Sequence, residues 1–151
     1  MTDFGMVVLS RIARSQDSLL TAAYLAEATG LPMPSVSKVL KTLARAQVVT
    51  SHRGVNGGYS LSRPANQITV EQVISALEGP VALTACVDGT TGSCCVETIC
   101  PIREQWDKVN AAISGALRAI TLAEIAAPSN SITFLAKPDH GSASQVESVS
   151  P

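Results

Sequence analysis

The chain has 151 residues, of which 46% are apolar and only 3% aromatic, and its net charge is −1. That length suits one domain, or one compact domain with an appendage, whose core must be filled by small aliphatic side chains. No stretch approaches about 18 uninterrupted apolar residues, and no basic start leads into an apolar run. A membrane span and a secretory signal are therefore not expected, and a cytoplasmic setting is.

Residues 3–14 carry Phe4, Val7, Val8 and Ile12 at helical spacing, which predicts an amphipathic first helix. It starts almost at Met1, so a few native residues are expected upstream. Thr21 suits the N-cap of a second helix, "AAYLAEAT", and Gly30 suits the position just past its end. Pro34 then opens a third helix. Its core stripe is Val36, Val39, Leu40 and Leu43, and its other face carries Ser35, Ser37, Lys38, Lys41, Thr42 and Arg45. Two helices joined by a short turn, the second with a basic exposed face, form a helix-turn-helix pattern. In that pattern the second helix enters the DNA major groove.

Local charge agrees. From Ala28 to Val70 there is no Asp or Glu, while Lys38, Lys41, Arg45, Arg53 and Arg63 fall inside. Such a segment reads as an anion-binding face, against the bland alternative of a solvated helix face. "VVTSH", "RGVNGG" and "YSLS" then predict a hairpin, a wing behind the recognition helix. Arg53 near its tip can reach a phosphate or a narrow minor groove. Gly54, Gly57 and Gly58, beside Tyr59, would let the backbone turn and approach DNA, or would simply make a tight turn.

"TVEQVISALEGP" predicts a fourth helix, with a capping box at Thr69 and Gln72 and a stop at Gly79-Pro80. A loop to Pro101 follows. Beyond it, Ile102, Trp106, Val109, Ile113, Leu117 and Ile120 form a nearly heptad stripe. Packing within the subunit would explain this stripe, but pairing with a second copy is the preferred reading, because DNA half-sites are usually read by dimers. Thr121 to Ala126 suggests a further short helix, and the Ser-, Pro-, Gly- and Ala-rich segment from Pro128 onward reads as disordered.

All four cysteines lie between residues 86 and 100. A reduced cytoplasm disfavours disulfides. The spacing lacks paired zinc knuckles, and His52 and His140 lie elsewhere. Three thiolates on one loop can hold an iron–sulfur cluster with a fourth ligand from another segment. On spacing alone a cluster, zinc and free thiols all stay open.

The run "LPMPSVSKVLKTLARAQVVTSHRGVNGGYSLSRPANQITVEQVISALEGP", followed by spaced cysteines and a long helix, resembles the Rrf-type iron–sulfur transcriptional regulators (IscR/NsrR-like). "HRGVNGGYSL" and "ALEGP" are its most specific segments. The stretch from Cys94 to Ile125 resembles the branch that regulates SUF-type cluster assembly genes. The resemblance implies a dimeric winged-helix repressor whose cluster, expected as [2Fe–2S], sets its DNA affinity. It assigns the thiolate ligands to Cys86, Cys94 and Cys100. Cys94 is preferred to Cys95 because the family's last gap is usually five residues. Some members offer a histidine three residues after the last cysteine, where this chain has Arg103. Others use an aspartate near the amino terminus, contributed across the dimer, and Asp3 matches that position. Locally Asp3 also suits a helix N-cap, and Asp88 and Glu97 are further candidates.

The expected fold is mostly α with a small β-hairpin wing. A winged helix-turn-helix DNA-binding domain occupies residues 1–80, and a cysteine-rich cluster-binding loop occupies 81–101. A dimerisation helix and short C-terminal helix follow over 102–127, with a tail over 128–151. The DNA-contacting residues are expected to be Ser35, Ser37, Lys38, Lys41, Thr42, Arg45, Arg53, Gly57, Gly58 and Tyr59. The expected partners are an operator duplex and a second copy, with no membrane, no small-molecule substrate and no enzymatic activity. A nitric oxide or redox-sensing repressor of the same family is the nearest alternative. A small thiol-redox or electron-transfer protein is the rival class, disfavoured because an acid-free segment of this length has no use there.

Overall fold

A computed structural model of the chain describes residues 1–15, 18–84, 87 and 100–127. Six α-helices and one antiparallel hairpin appear among them: α1 (Thr2–Ala13), α2 (Ala22–Thr29), α3 (Met33–Arg45), β1 (Val49–His52), β2 (Gly58–Leu61), α4 (Val70–Glu78), α5 (Arg103–Ala119) and α6 (Leu122–Ala126). A 3₁₀ turn at Ala65–Gln67 lies between the hairpin and α4.

Local signals set most helix ends. The Thr21 hydroxyl accepts from the Tyr24 N–H at 3.1 Å, and Gly30 ends α2 at φ 70°. At α4 the capping box of Thr69 and Gln72 is complete. The start of α1 has no cap from its own flanking residue. Instead Glu78, at the end of α4, accepts from the Met1 ammonium at 2.8 Å and from the Thr2 N–H and hydroxyl at 3.0 Å. The ammonium's hydrogen bond, followed by those from Thr2, holds the Glu78 carboxyl below the ordinary carboxylate range.

The end of α3 is less usual. Gln47 takes a left-handed conformation, φ 57°. The Val48 N–H donates to the Leu43 carbonyl at 2.9 Å and the Gln47 N–H to the Ala44 carbonyl at 3.1 Å, the paired bonds of a Schellman termination. Glycine usually holds that position. A left-handed L-residue costs roughly 1–2 kcal/mol, while glycine's extra freedom in the unfolded chain offsets roughly 0.5–1 kcal/mol of any gain. Gln47→Gly should therefore stabilise the protein by about 0.5 kcal/mol. Urea unfolding will read this as a raised midpoint at constant slope, and a lowered midpoint would mean that the glutamine side chain matters more than its backbone.

One core joins the elements. Val8 and Leu9 of α1, Leu25 of α2, Val36, Val39, Leu40 and Leu43 of α3, Ile68 and Val73 are fully buried together. Leu122 of α6 is buried among them. Just ahead of α2 the chain meets the hairpin through a bridge: Leu20 and Tyr59 exchange backbone bonds of 3.1 and 2.8 Å. That bridge ties the turn end of the hairpin to the segment leading into α2. The hairpin register is Val49↔Leu61 through His52↔Gly58.

The short α6, which follows α5 in sequence, is seated on α1 and the 3₁₀ turn. Leu122 donates its N–H to the Ile68 carbonyl at 2.7 Å, and Val70 donates to the Ile120 carbonyl at 2.9 Å. Arg14 closes the far end, its Nε donating to the Ala126 carbonyl at 2.6 Å, where a cation also suits the negative helix terminus.

By contrast α5 has no buried residue and packs mainly on α4. Val109 and Ile113 remain 43% and 36% exposed. On α1 the expected apolar face divides: Val8 and Ile12 enter the core, whereas Phe4 and Val7 stay 39% and 45% exposed. Periodicity reports that a face is apolar but not whether its own subunit covers it.

Candidate nucleic-acid interface

The core stripe of α3 fixes what the rest of that helix must show. With Val36, Val39, Leu40 and Leu43 turned inward, the 3.6-residue period places Pro34, Lys38, Lys41 and Arg45 along the opposite ridge. All four are exposed. Ser35, Ser37 and Thr42 flank the ridge and are half-buried. The Thr42 hydroxyl donates to the Lys38 carbonyl at 3.0 Å, so toward a ligand it can only accept.

No carboxylate lies on α3 or the hairpin, so the three cations of the ridge face an uncompensated field. Arg63, counted with them in sequence, is held elsewhere: its guanidinium donates to Gln72 Oε1 at 3.1 Å at the start of α4. Arg53 is exposed beside the turn of the hairpin. It lines a cleft of about 370 Å³ with Thr21, Ala22, His52 and Gly54, where the start of α2 meets the wing. The contribution of the α2 terminus to this cleft was not visible in the sequence, because it depends on the Leu20–Tyr59 bridge.

The two wing glycines have a structural use. A Cβ on Gly57 would strike the His52 carbonyl oxygen, and one on Gly58 would stand 2.9 Å from the Leu20 oxygen. Both contacts are with this chain's own backbone: at Gly57 the tight turn accounts for the residue type, and at Gly58 the close approach of Leu20 does. Tyr59 is half-buried and packs against the core.

Of the residues expected to hold a cluster, Cys86 and Cys94 lie outside the described residues, as does Cys95. Cys100 is a half-buried free thiol, and its carbonyl accepts from the Arg103 N–H at the foot of α5. Asp3 is exposed in the first turn of α1, next to the uncovered Phe4. Among the described residues no three His, Cys, Asp or Glu side chains gather as a metal site. The stem of the cysteine loop is nonetheless fixed. Asn110 of α5 accepts from the Leu83 N–H at 3.2 Å and donates to the Val81 carbonyl at 2.9 Å. Nothing in the sequence marked Asn110 out for this role, which depends on how residues 81–83 return to α5.

A helix-turn-helix, a hairpin wing and a cationic ridge free of acids together define a winged-helix DNA-binding transcription regulator. The chain belongs to the Rrf2 family of iron-dependent transcriptional regulators, whose pattern matches residues 1–128. It is 33% identical over 116 residues to the HTH-type transcriptional regulator IscR of Photobacterium profundum, covering 77% of this chain and 66%, just under two thirds, of that relative. It is 28% identical over 125 residues to the regulator NsrR of Oceanobacillus iheyensis, covering 82% of this chain and 85% of that one. Among solved structures, T. potens IscR superposes with a TM-score of 0.60 at 27% identity, over 81% of this chain and 80% of that one. CymR, the global cysteine regulator of B. subtilis, gives 0.64 at 23% identity, over 83% and 92%, and supports the fold alone. These relatives are regulators, not enzymes. No helix among the described residues is long and apolar enough to cross a membrane.

If Lys41 contacts a phosphate, Lys41→Ala should weaken binding to all duplexes alike. It should also reduce the slope of log affinity against log salt by about one unit. A changed base preference with an unchanged slope would instead place Lys41 on a base edge.

Proposed function

We propose that this chain is an iron–sulfur-sensing repressor of SUF-type cluster assembly genes, acting in the cytoplasm as a homodimer on an operator duplex. The observation that carries the reading is the placement of the cysteine segment. All four thiols lie between α4 of the DNA-binding head and α5, and Asn110 pins the start of that segment to α5. The likeness to IscR and NsrR supports it.

Cys86, Cys94 and Cys100 would hold the cluster, with Asp3 as the fourth ligand. Three soft thiolates and one carboxylate form a donor set suited to iron and sulfide rather than to a closed structural zinc site. The half-buried Cys100 thiol at the foot of α5 and the exposed Asp3 beside uncovered apolar residues fit a site closed by a second copy. A bound cluster supplies iron–thiolate bonds that oxidants, nitric oxide or iron shortage can break.

This chain's own residues do the rest. Asn110 holds the loop stem on α5. Arg118 reaches Glu71 of α4 at 3.6 Å, and Leu122, just past the end of α5, is buried in the core that also takes in the α3 stripe. Any change in how the loop lies on α5 thus reaches the recognition helices through packed elements, as a shift between populations rather than a new fold. Ser35, Ser37 and Lys38 in the first turns of α3 would then set base preference, while Lys41, Arg45 and Arg53 meet phosphates.

An anaerobic preparation with a visible spectrum and iron and sulfide analysis tests the cofactor. A coloured protein carrying iron and acid-labile sulfide is expected; a colourless, zinc-loaded protein would overturn the sensor reading.

A further inference from the structure

We propose that Met33 and Pro34 form an apolar reading edge for the 5-methyl group of thymine, so that each operator half-site contains a thymine where the leading end of α3 meets the major groove. This deepens the DNA-binding reading of α3 and rests on it.

The ridge of α3 changes character along its length. Lys38, Lys41 and Arg45 make its trailing part cationic, but its leading residue is Pro34. Met33, in the same first turn, is 45% exposed. N-terminal residues of a recognition helix are the ones that reach base edges, so apolar side chains here face the groove rather than the core.

This turn's backbone has little hydrogen bonding to offer. Of the four amide positions that usually stay unpaired at a helix start, Pro32 and Pro34 have no N–H, and the Ser35 N–H donates to the Pro32 carbonyl at 2.9 Å. Met33 alone keeps a backbone donor. Helix α3 also carries no Asp, Glu, Asn or Gln, the side chains that pair with cytosine and adenine edges. The only apolar group that a base pair shows in the major groove is the thymine methyl. The flexible thioether of Met33 can follow it without a fixed register. Lys38, one turn behind on the same ridge, then stands where a guanine O6 and N7 would accept.

Proline in a first turn also starts helices, and that use alone would need no methyl group. Removing only the methyl separates the two explanations. A duplex enriched from a random pool by the full-length chain serves as the probe, with each thymine replaced in turn by deoxyuridine. Burying one methyl is worth roughly 0.8 kcal/mol, or about fourfold in affinity. One thymine per half-site should show that loss, the Met33→Ala/Pro34→Ala variant should be indifferent to the exchange there, and Lys38→Ala should keep the sensitivity. Tolerance of deoxyuridine at every thymine by the unaltered protein would overturn the inference while leaving DNA binding intact. So would equal sensitivity in the double variant. Failure to enrich any sequence would overturn the DNA-binding reading first, and this one with it.

Discussion

With Val109 and Ile113 both changed to Glu, the protein should sediment as a monomer and lose specific operator affinity by about a hundredfold or more. The two side chains lie one turn apart on α5, which buries none of its residues within the subunit. In a symmetric pair each substitution appears twice, so four carboxylates would enter one seam. An unpaired buried charge costs several kcal/mol even after relaxation, more than a seam of this length recovers elsewhere. Affinity falls because a monomer keeps one half-site, and each lost base-pair contact is worth roughly 1–3 kcal/mol. The fold itself should survive, since the buried cluster draws on α1 to α4 and α6 and not on α5. An unchanged circular dichroism melt, together with sedimentation at monomer mass, is the expected pair of results. A variant that stays dimeric would return the stripe to its own subunit or place the dimer on another face, with the exposed Phe4 and Val7 of α1 as the next candidate.

Much of the head was legible because its signals are local. Thr21, Gly30, Pro34 and the Thr69–Gln72 box act within one helical turn, and the α3 stripe needs only a period. What escaped depends on contacts distant in the chain. Nothing near Leu122 says that it will enter a core built from α1 to α4, seated on α1 at the opposite end of the described chain. Gly58 looks like any turn glycine until Leu20 is laid against it. Gln47 escaped for another reason: its left-handed backbone is enforced by the Leu43–Val48 termination, and the residue type gives no hint of it. The cationic ridge was legible as charge, but sequence counted Arg63 into it, and only the fold turns that guanidinium toward Gln72.

Cys86→Ala, Cys94→Ala and Cys100→Ala should each abolish the visible chromophore, whereas Cys95→Ala should retain it. The asymmetry rests on the family resemblance: its last gap of five residues selects Cys94 rather than the neighbouring Cys95 as the partner of Cys86 and Cys100. Asp3→Ala should leave a cluster that assembles but decays faster under a chelator, since three thiolates remain. Loss of the cluster should not unfold the head, whose core among the described residues contains no cysteine. The decisive measurement is operator affinity of wild type and Cys94→Ala, both handled anaerobically. A difference between them makes the cluster a signal. Equal affinity would reduce it to a structural ornament of α5, and the sensing function would fall even as the winged helix continued to bind DNA.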